Sequence, residues 1–160
     1  MDVAPNGDLF VVDGYSSDYV HHFDKSGKYL NSFGGRGEPF KFRTLHKIAV
    51  DTRFSPPRII GTDRANGRVV HMSTDGKFIG EVATGLLMPA CVAIHGDLAA
   101  IGEIKGRAIS VAAKANPGAF YIAFRGMRNR GTTPEEDIGA QHDRRAFSDA
   151  TPSHSHWLPE

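Results

Sequence analysis

Two stretches of this chain nearly repeat each other fifty residues apart, and that repetition constrains the fold more than any other feature. "GDLFVVDGYSSDYVHHFDKSGKYL" (Gly7 to Leu30) and "PRIIGTDRANGRVVHMSTDGKFI" (Pro57 to Ile79) share one order: apolar run, Asp, turn, apolar run, Ser-Gly or Asp-Gly, Lys, aromatic. Asp13 and Asp63 are 50 positions apart, and Gly27 and Gly76 are 49 apart. A third, weaker copy, "GDLAAIGEIKGRAISVAA" (Gly96 to Ala113), puts Glu103 in the Asp place, 40 positions beyond Asp63. Repeats of this period built from short strands are the signature of propeller blades.

The strands expected inside the copies are Leu9–Val12, Tyr19–Phe23, Tyr29–Phe33, Lys47–Val50, Arg58–Thr62, Arg68–Met72 and Phe78–Val82. Each is a short β-rich run bounded by Gly, Asn, Asp or Pro. Ser26-Gly27 and Asp75-Gly76 are the dipeptides that reverse a chain tightly between neighbouring strands. "GGRGEPFKFRTLH" reads as the connection from the outer strand of one copy to the inner strand of the next. Four strands per copy make a propeller blade. The expected fold is therefore all-β: blades over residues 2–42, 43–88 and 89–112, about two and a half of six. A tail, 113–160, carries no copy, and only "AFYIAF" in it resembles a strand. It reads as divergent, disordered or out of frame. Two and a half blades cannot close a ring, so the remaining blades or another chain are expected to complete it.

Composition agrees and excludes. Eighteen Gly and nine Pro suit a turn-rich β protein. Nineteen Lys and Arg against 18 Asp and Glu give no bulk electrostatic case for nucleic acid or a membrane surface. There is no apolar run long enough for a transmembrane helix, and "MDVAPNGDLF" has neither the basic nor the apolar region of a signal peptide. One cysteine, Cys91, excludes an intramolecular disulfide; within "ACVAI" it reads as a buried, inert thiol. "FGGRGEPF" is not followed by Gly-Lys-Ser/Thr, so no phosphate loop is expected. The tail arginines lack interleaved aromatics on which bases could stack.

The copies resemble NHL repeats, through Pro5-Asn6-Gly7-Asp8-Leu9-Phe10-Val11-Val12-Asp13 and Thr62-Asp63-Arg64-Ala65-Asn66-Gly67-Arg68-Val69-Val70, over about residues 2–112. Within that superfamily they are most similar to the peptidyl-α-hydroxyglycine α-amidating lyases and their bacterial NHL relatives. Three motifs fall in the family's order: Asp13-Gly14-Tyr15, "LHKIAVD" (Leu45 to Asp51) and "TDRANGR" (Thr62 to Arg68). The resemblance implies that His46 is a zinc ligand, Tyr15 a general base and Arg64 a substrate-binding or orienting group. In the family three histidines from three blades hold one zinc, and the substrate's α-hydroxyl compound collapses to an amide and glyoxylate. Such a site is sensible because inner strands line a common channel. The pattern also departs from the family. Leu45 stands where Pro is usual, Lys47 puts a cation beside His46, and Met1 stands about where the first zinc histidine would be. His142, followed by Asp143, is the later candidate ligand, without the flanking strand signature.

Each residue also has a structural reading. His46 could be a solvent-facing histidine at the mouth of an inner strand. Tyr15 could cap a turn, and Arg64 could pair with Asp63 or Glu81. His21 and His22 are strand neighbours facing opposite ways, so they cannot chelate together. Two functions follow. One is a zinc-dependent carbon–nitrogen lyase acting on a small peptide, with calcium as the other candidate ion, from a secreted or periplasmic parent. The other is a non-catalytic NHL propeller that binds a protein, glycan or RNA. This 160-residue chain is itself expected to be inactive.

Overall fold

The apolar runs between turn residues become strands at nearly the expected positions. The structure, a computed structural model, describes residues 1–105, 108–113 and 120–125. These form three four-stranded antiparallel sheets, each a simple meander. The first holds β1 (Asp2–Val3), β2 (Leu9–Val12), β3 (Tyr19–Phe23) and β4 (Tyr29–Gly34). The middle sheet holds β5 (Leu45–Asp51), β6 (Arg58–Asp63), β7 (Arg68–Ser73) and β8 (Phe78–Ala83), with a single 3-10 turn, Arg64–Asn66, between β6 and β7. The last holds β9 (Pro89–His95), β10 (Leu98–Glu103), β11 (Ala108–Ala113) and β12 (Phe120–Arg125). β12 is the "AFYIAF" run and pairs with β11 beyond residue 112. Among the described residues no helix is long and apolar enough to cross a membrane.

The tight turns work as their residues require. Gly27 (φ 84°) and Gly76 (φ 89°) take the left-handed conformation that glycine adopts without a Cβ clash. Each closes the same hairpin: Asp24 N–H donates to Lys28 O at 2.9 Å, and Ser73 N–H to Lys77 O at 2.9 Å.

The middle sheet is covered on both faces, which explains its doubled apolar pairs. Side chains alternate across a strand, so Ile59 and Ile60 point opposite ways, as do Val69 and Val70. Ile59, Val70 and Met72 join Phe10, Val20, Phe42, Leu45 and Ile48 in a core between the first and middle sheets. Ile60, Val69 and Ala49 join Val92, Ala99 and Ile101 in a second core toward the last sheet. Strands buried on both faces lose the simple apolar–polar alternation.

β9 alternates as well, and this corrects the expectation for Cys91. Val92 is buried against the middle sheet, whereas Cys91 lies on the opposite side of the strand and is exposed.

A buried polar cluster holds the far end of the middle sheet. Asp51 is fully buried and accepts hydrogen bonds from Arg53 (Nε, 2.8 Å; Nη2, 2.6 Å) and shares one with His71 Nε2 at 3.0 Å. Arg53 also donates to Asp97 O at 3.0 Å, tying this cluster to the last sheet. Burial pushes the Asp51 carboxyl up, but the Arg53 and His71 hydrogen bonds and the Arg53 charge outweigh it and hold it well below the usual carboxylate range.

Candidate functional site

The second and third copies share one frame at the end of the sheets that carries the predicted residues. The repeat acid following the second strand ties down the incoming connection: Asp63 Oδ1 accepts from Arg43 N–H at 2.8 Å, and Glu103 Oε2 from Leu87 N–H at 2.5 Å. The next backbone N–H closes the same link, Arg64 to Thr44 O at 3.0 Å and Ile104 to Met88 O at 3.1 Å. Thr44 and Met88, the carbonyl residues, have φ of 61° each, a rare conformation for side chains other than glycine. Glu103 therefore occupies the place of Asp63 in space as in sequence.

On this frame each inner strand starts with a bulge. In β5, Leu45 pairs with Asp63 and Lys47 with Thr62, which leaves His46 as the extra residue. In β9, Pro89 pairs with Glu103 and Cys91 with Gly102, which leaves Ala90 in the same role. A bulge turns its extra residue out of the ladder and re-aims the side chain. His46 and Ala90 are thus equivalent positions, and "PACVA" is the counterpart of "LHKIA".

The structure brings Tyr15, His46 and Arg64 together. Tyr15 lies in the β2–β3 loop, His46 on β5 and Arg64 at the start of the 3-10 turn. Tyr15 Oη is 3.0 Å from His46 Nε2 and accepts a hydrogen bond from Arg64 Nη1 at 2.9 Å. The Tyr15 and His46 rings meet edge to face at 5.6 Å, and the Arg64 guanidinium lies 5.1 Å from the Tyr15 ring centre. Gly14 makes this approach feasible: a Cβ there would fall 2.0 Å from Leu45 O, so only glycine lets the loop lie on the start of β5. Arg64 does not pair with Asp63 or Glu81; Arg68 takes both, at 2.7 Å each.

The hydrogen bonds assign the protons. His46 Nδ1 is 2.7 Å from Ala90 O, and a carbonyl only accepts, so Nδ1 carries hydrogen. In the neutral ring Nε2 then has a lone pair and accepts from the Tyr15 hydroxyl, which in turn accepts from Arg64. All three sheets meet here: a loop of the first, an inner strand of the middle and a backbone carbonyl of the last. Tyr15 is 77% exposed, so its oxygen can be reached from solvent. The chemistry open to this arrangement is proton transfer at Tyr15 Oη, with His46 on one side and a fixed cation on the other.

A backbone carbonyl on Nδ1 is also how a metal-bound histidine is commonly oriented. Yet the single lone pair on Nε2 serves Tyr15 here, so His46 could hold a metal only after that hydrogen bond opens. Among the described residues no three His, Cys, Asp or Glu side chains are grouped to hold an ion. They supply one imidazole, and the equivalent position in the neighbouring sheet is Ala90, so they do not by themselves fit a three-histidine zinc site.

Other expectations resolve individually. Lys47 points away from the site, its Nζ 3.3 Å from Met1 O. His21 and His22 do face opposite ways. His21 Nδ1 lies 2.7 Å from Ser32 Oγ, while His22 stacks on Phe10 at 4.3 Å and bonds Asp8 at 3.0 Å. His142 lies outside the described residues. Two contributors escaped sequence reasoning, Ala90 and Asp18. Ala90 acts through its backbone, and only the alignment of "PACVA" with "LHKIA" could have found it.

No family model matches the chain. Among solved structures it is similar to a "Putative exported protein" from Bacteroides fragilis, at 20% identity and a TM-score of 0.54. That likeness covers 69% of this chain and 33% of the other, so the matched part spans about a third of that protein's length. At this identity the likeness is one of fold.

Proposed function

We propose that Tyr15, His46 and Arg64 belong to the acid–base site of a lyase acting on peptidyl-α-hydroxyglycines, carried on an NHL-type propeller. The single observation behind this reading is their convergence. Residues 15, 46 and 64, named by the resemblance of their motifs to the amidating lyases, meet within 3.0 Å at one phenol oxygen. In this reading the three meanders are blades of a six-bladed ring. The outer face of the first sheet, with Leu9, Val11 and Phe23 only half-buried, is apolar enough to take a further blade. Tyr15 would move the substrate's hydroxyl proton, Arg64 would hold the phenol oxygen and a substrate carboxylate, and His46 would relay the proton or bind zinc. When bound, zinc would polarise the substrate oxygen; its other ligands would come from outside the described residues. The exported neighbour is in keeping with a secreted parent.

One observation favours the second reading, a non-catalytic propeller that binds a macromolecule: the described residues offer no complete metal-ligand set. Elemental analysis separates the two, on this chain and on a version extended in both directions. Stoichiometric zinc in the extended form, lost in His46→Ala, together with zinc-dependent glyoxylate release from an α-hydroxyglycine peptide, supports the lyase. Zinc in neither form sinks it.

A further inference from the structure

Asp18 stands out as a buried carboxylate in a conformation usually left to glycine. It is fully buried, its φ is 63°, and it lies at the end of the loop that carries Tyr15. The next copy shows what the turn alone requires. There the same place is taken by Gly67, with φ 62°. Both residues accept the same backbone bond, Asp18 O from Gly35 N–H at 2.8 Å and Gly67 O from Leu86 N–H at 2.9 Å. A non-glycine residue held left-handed where glycine would serve points to a task for its side chain.

That task is visible in the next sheet. Asp18 Oδ1 accepts from Leu45 N–H at 2.8 Å, immediately before His46, and Oδ2 accepts from Arg36 Nε at 3.0 Å. Arg36 Nη2 in turn donates to Ser16 O at 2.5 Å, one residue after Tyr15. One carboxylate therefore ties the Tyr15 loop and the His46 bulge to a common point. The copy with Gly67 has no need of it, because the residue equivalent to Leu45 is Pro89, which has no N–H. An unpaired N–H at the buried Leu45 would otherwise be costly.

We infer that Asp18 is a positioning residue: its carboxylate takes up the N–H that Leu45 has and Pro89 lacks, and thereby fixes His46 against Tyr15. The inference rests on the proposed site only in using the same two residues; it holds whether or not that site is a lyase. The test is NMR on the whole chain, reading the nuclear Overhauser contact between the Tyr15 and His46 rings and the His46 ring nitrogen shifts that report its Nδ1–H tautomer. Asp18→Gly should still fold, since the backbone conformation is glycine's own, but at a lower unfolding midpoint because the buried Leu45 N–H loses its acceptor, and it should lose the ring contact and the fixed tautomer. Asp18→Asn keeps an acceptor oxygen and tolerates the left-handed backbone, so it should retain both signals. An unchanged ring contact in Asp18→Gly, or its loss in Asp18→Asn, would overturn the role. If Asp18→Gly does not fold, Asp18→Asn decides alone on the same two signals. Zinc titration of the wild-type chain, and of the extended propeller, separates the two ideas. Absence of zinc at His46 removes the lyase reading and leaves the ring-contact result standing, while an unchanged ring contact removes the positioning role and leaves the lyase reading intact.

Discussion

The first and middle sheets are copies of one unit, and they differ in what surrounds them. Leu9, His21 and Phe23 of the first correspond to Ile59, Val70 and Met72 of the middle, all on the face turned toward the preceding element. In the middle sheet that face is sealed: Ile59, Val70 and Met72 are each 0% exposed. In the first sheet the same positions are half-buried. The opposite face shows the same contrast in polar form. His22 and His71 are equivalent, each against an aromatic ring and an aspartate, but His22 meets the partly exposed Asp8 whereas His71 meets the buried, Arg53-bound Asp51. The repeat thus sets which way a residue points; its neighbours set what that orientation is worth.

The sharpest way to break this equivalence is to remove the aspartate from each pair. Asp51→Ala removes the buried carboxylate shared by Arg53 and His71, and losing one partner of a buried ion pair costs about 3–5 kcal/mol. Asp8→Ala removes a carboxylate that water already reaches, so its unfolding midpoint should stay close to wild type. Urea denaturation of both variants checks this, and equal losses would deny the contrast. pH sharpens it. The Asp51 carboxyl is depressed in the folded state, so its stabilisation is fully present above the unfolded value of about 4 and fades as pH falls through and below it. Stability measured from pH 6 down to pH 2 should therefore fall less steeply in Asp51→Asn than in wild type.

The apolar face gives the next effect. Ile59→Ala leaves a cavity in a sealed core and should cost about 2–5 kcal/mol. Leu9→Ala, at the equivalent but half-covered position, should cost less than about half as much, because less transfer energy and no closed cavity are involved. If both cost the same in this chain, the first sheet's outer face is covered in solution.

A third comparison concerns the loops. The middle copy carries Arg64 where the first carries Gly14, and the backbone of Leu45 lies where a Gly14 side chain would go. Gly14→Ala must push the Tyr15 loop off β5, an overpacking cost of about 1–3 kcal/mol. Circular dichroism melts would show a lower midpoint; an unchanged one would mean the loop does not rest there.

Much of this architecture was legible in the sequence, and the reasons are specific. β2 and β3 appear at the predicted boundaries because Gly, Asp and Ser clusters bracket short runs rich in Val and aromatic residues, which is local information. Tyr15, His46 and Arg64 are named by the resemblance of three short motifs to the amidating lyases, and the repeat alone does not single them out. What the sequence hid was non-local. Nothing near Asp18 announces that its partner is the N–H of Leu45, 27 residues on, and nothing near Arg68 says that it, rather than Arg64, takes Asp63 and Glu81. Cys91 misled because "ACVAI" is apolar throughout, and only the bulge at Ala90 decides which side of β9 faces the core.

The smallest expected effect on stability carries the most information about the site. Tyr15→Phe removes one hydroxyl from a residue that is 77% exposed, so the unfolding free energy should change by less than about 0.5 kcal/mol. The same change frees the lone pair on His46 Nε2, because Nδ1 remains bound to Ala90 O. A free imidazole nitrogen is a nucleophile, so His46 should react faster with diethylpyrocarbonate in Tyr15→Phe than in wild type. His71 supplies the internal reference: its Nε2 stays engaged with buried Asp51, and its rate should not move. Peptide mapping resolves the two sites. A His46 rate that does not rise means the Tyr15 hydroxyl does not occupy Nε2 in solution, and the proton path from phenol to imidazole would have to be abandoned.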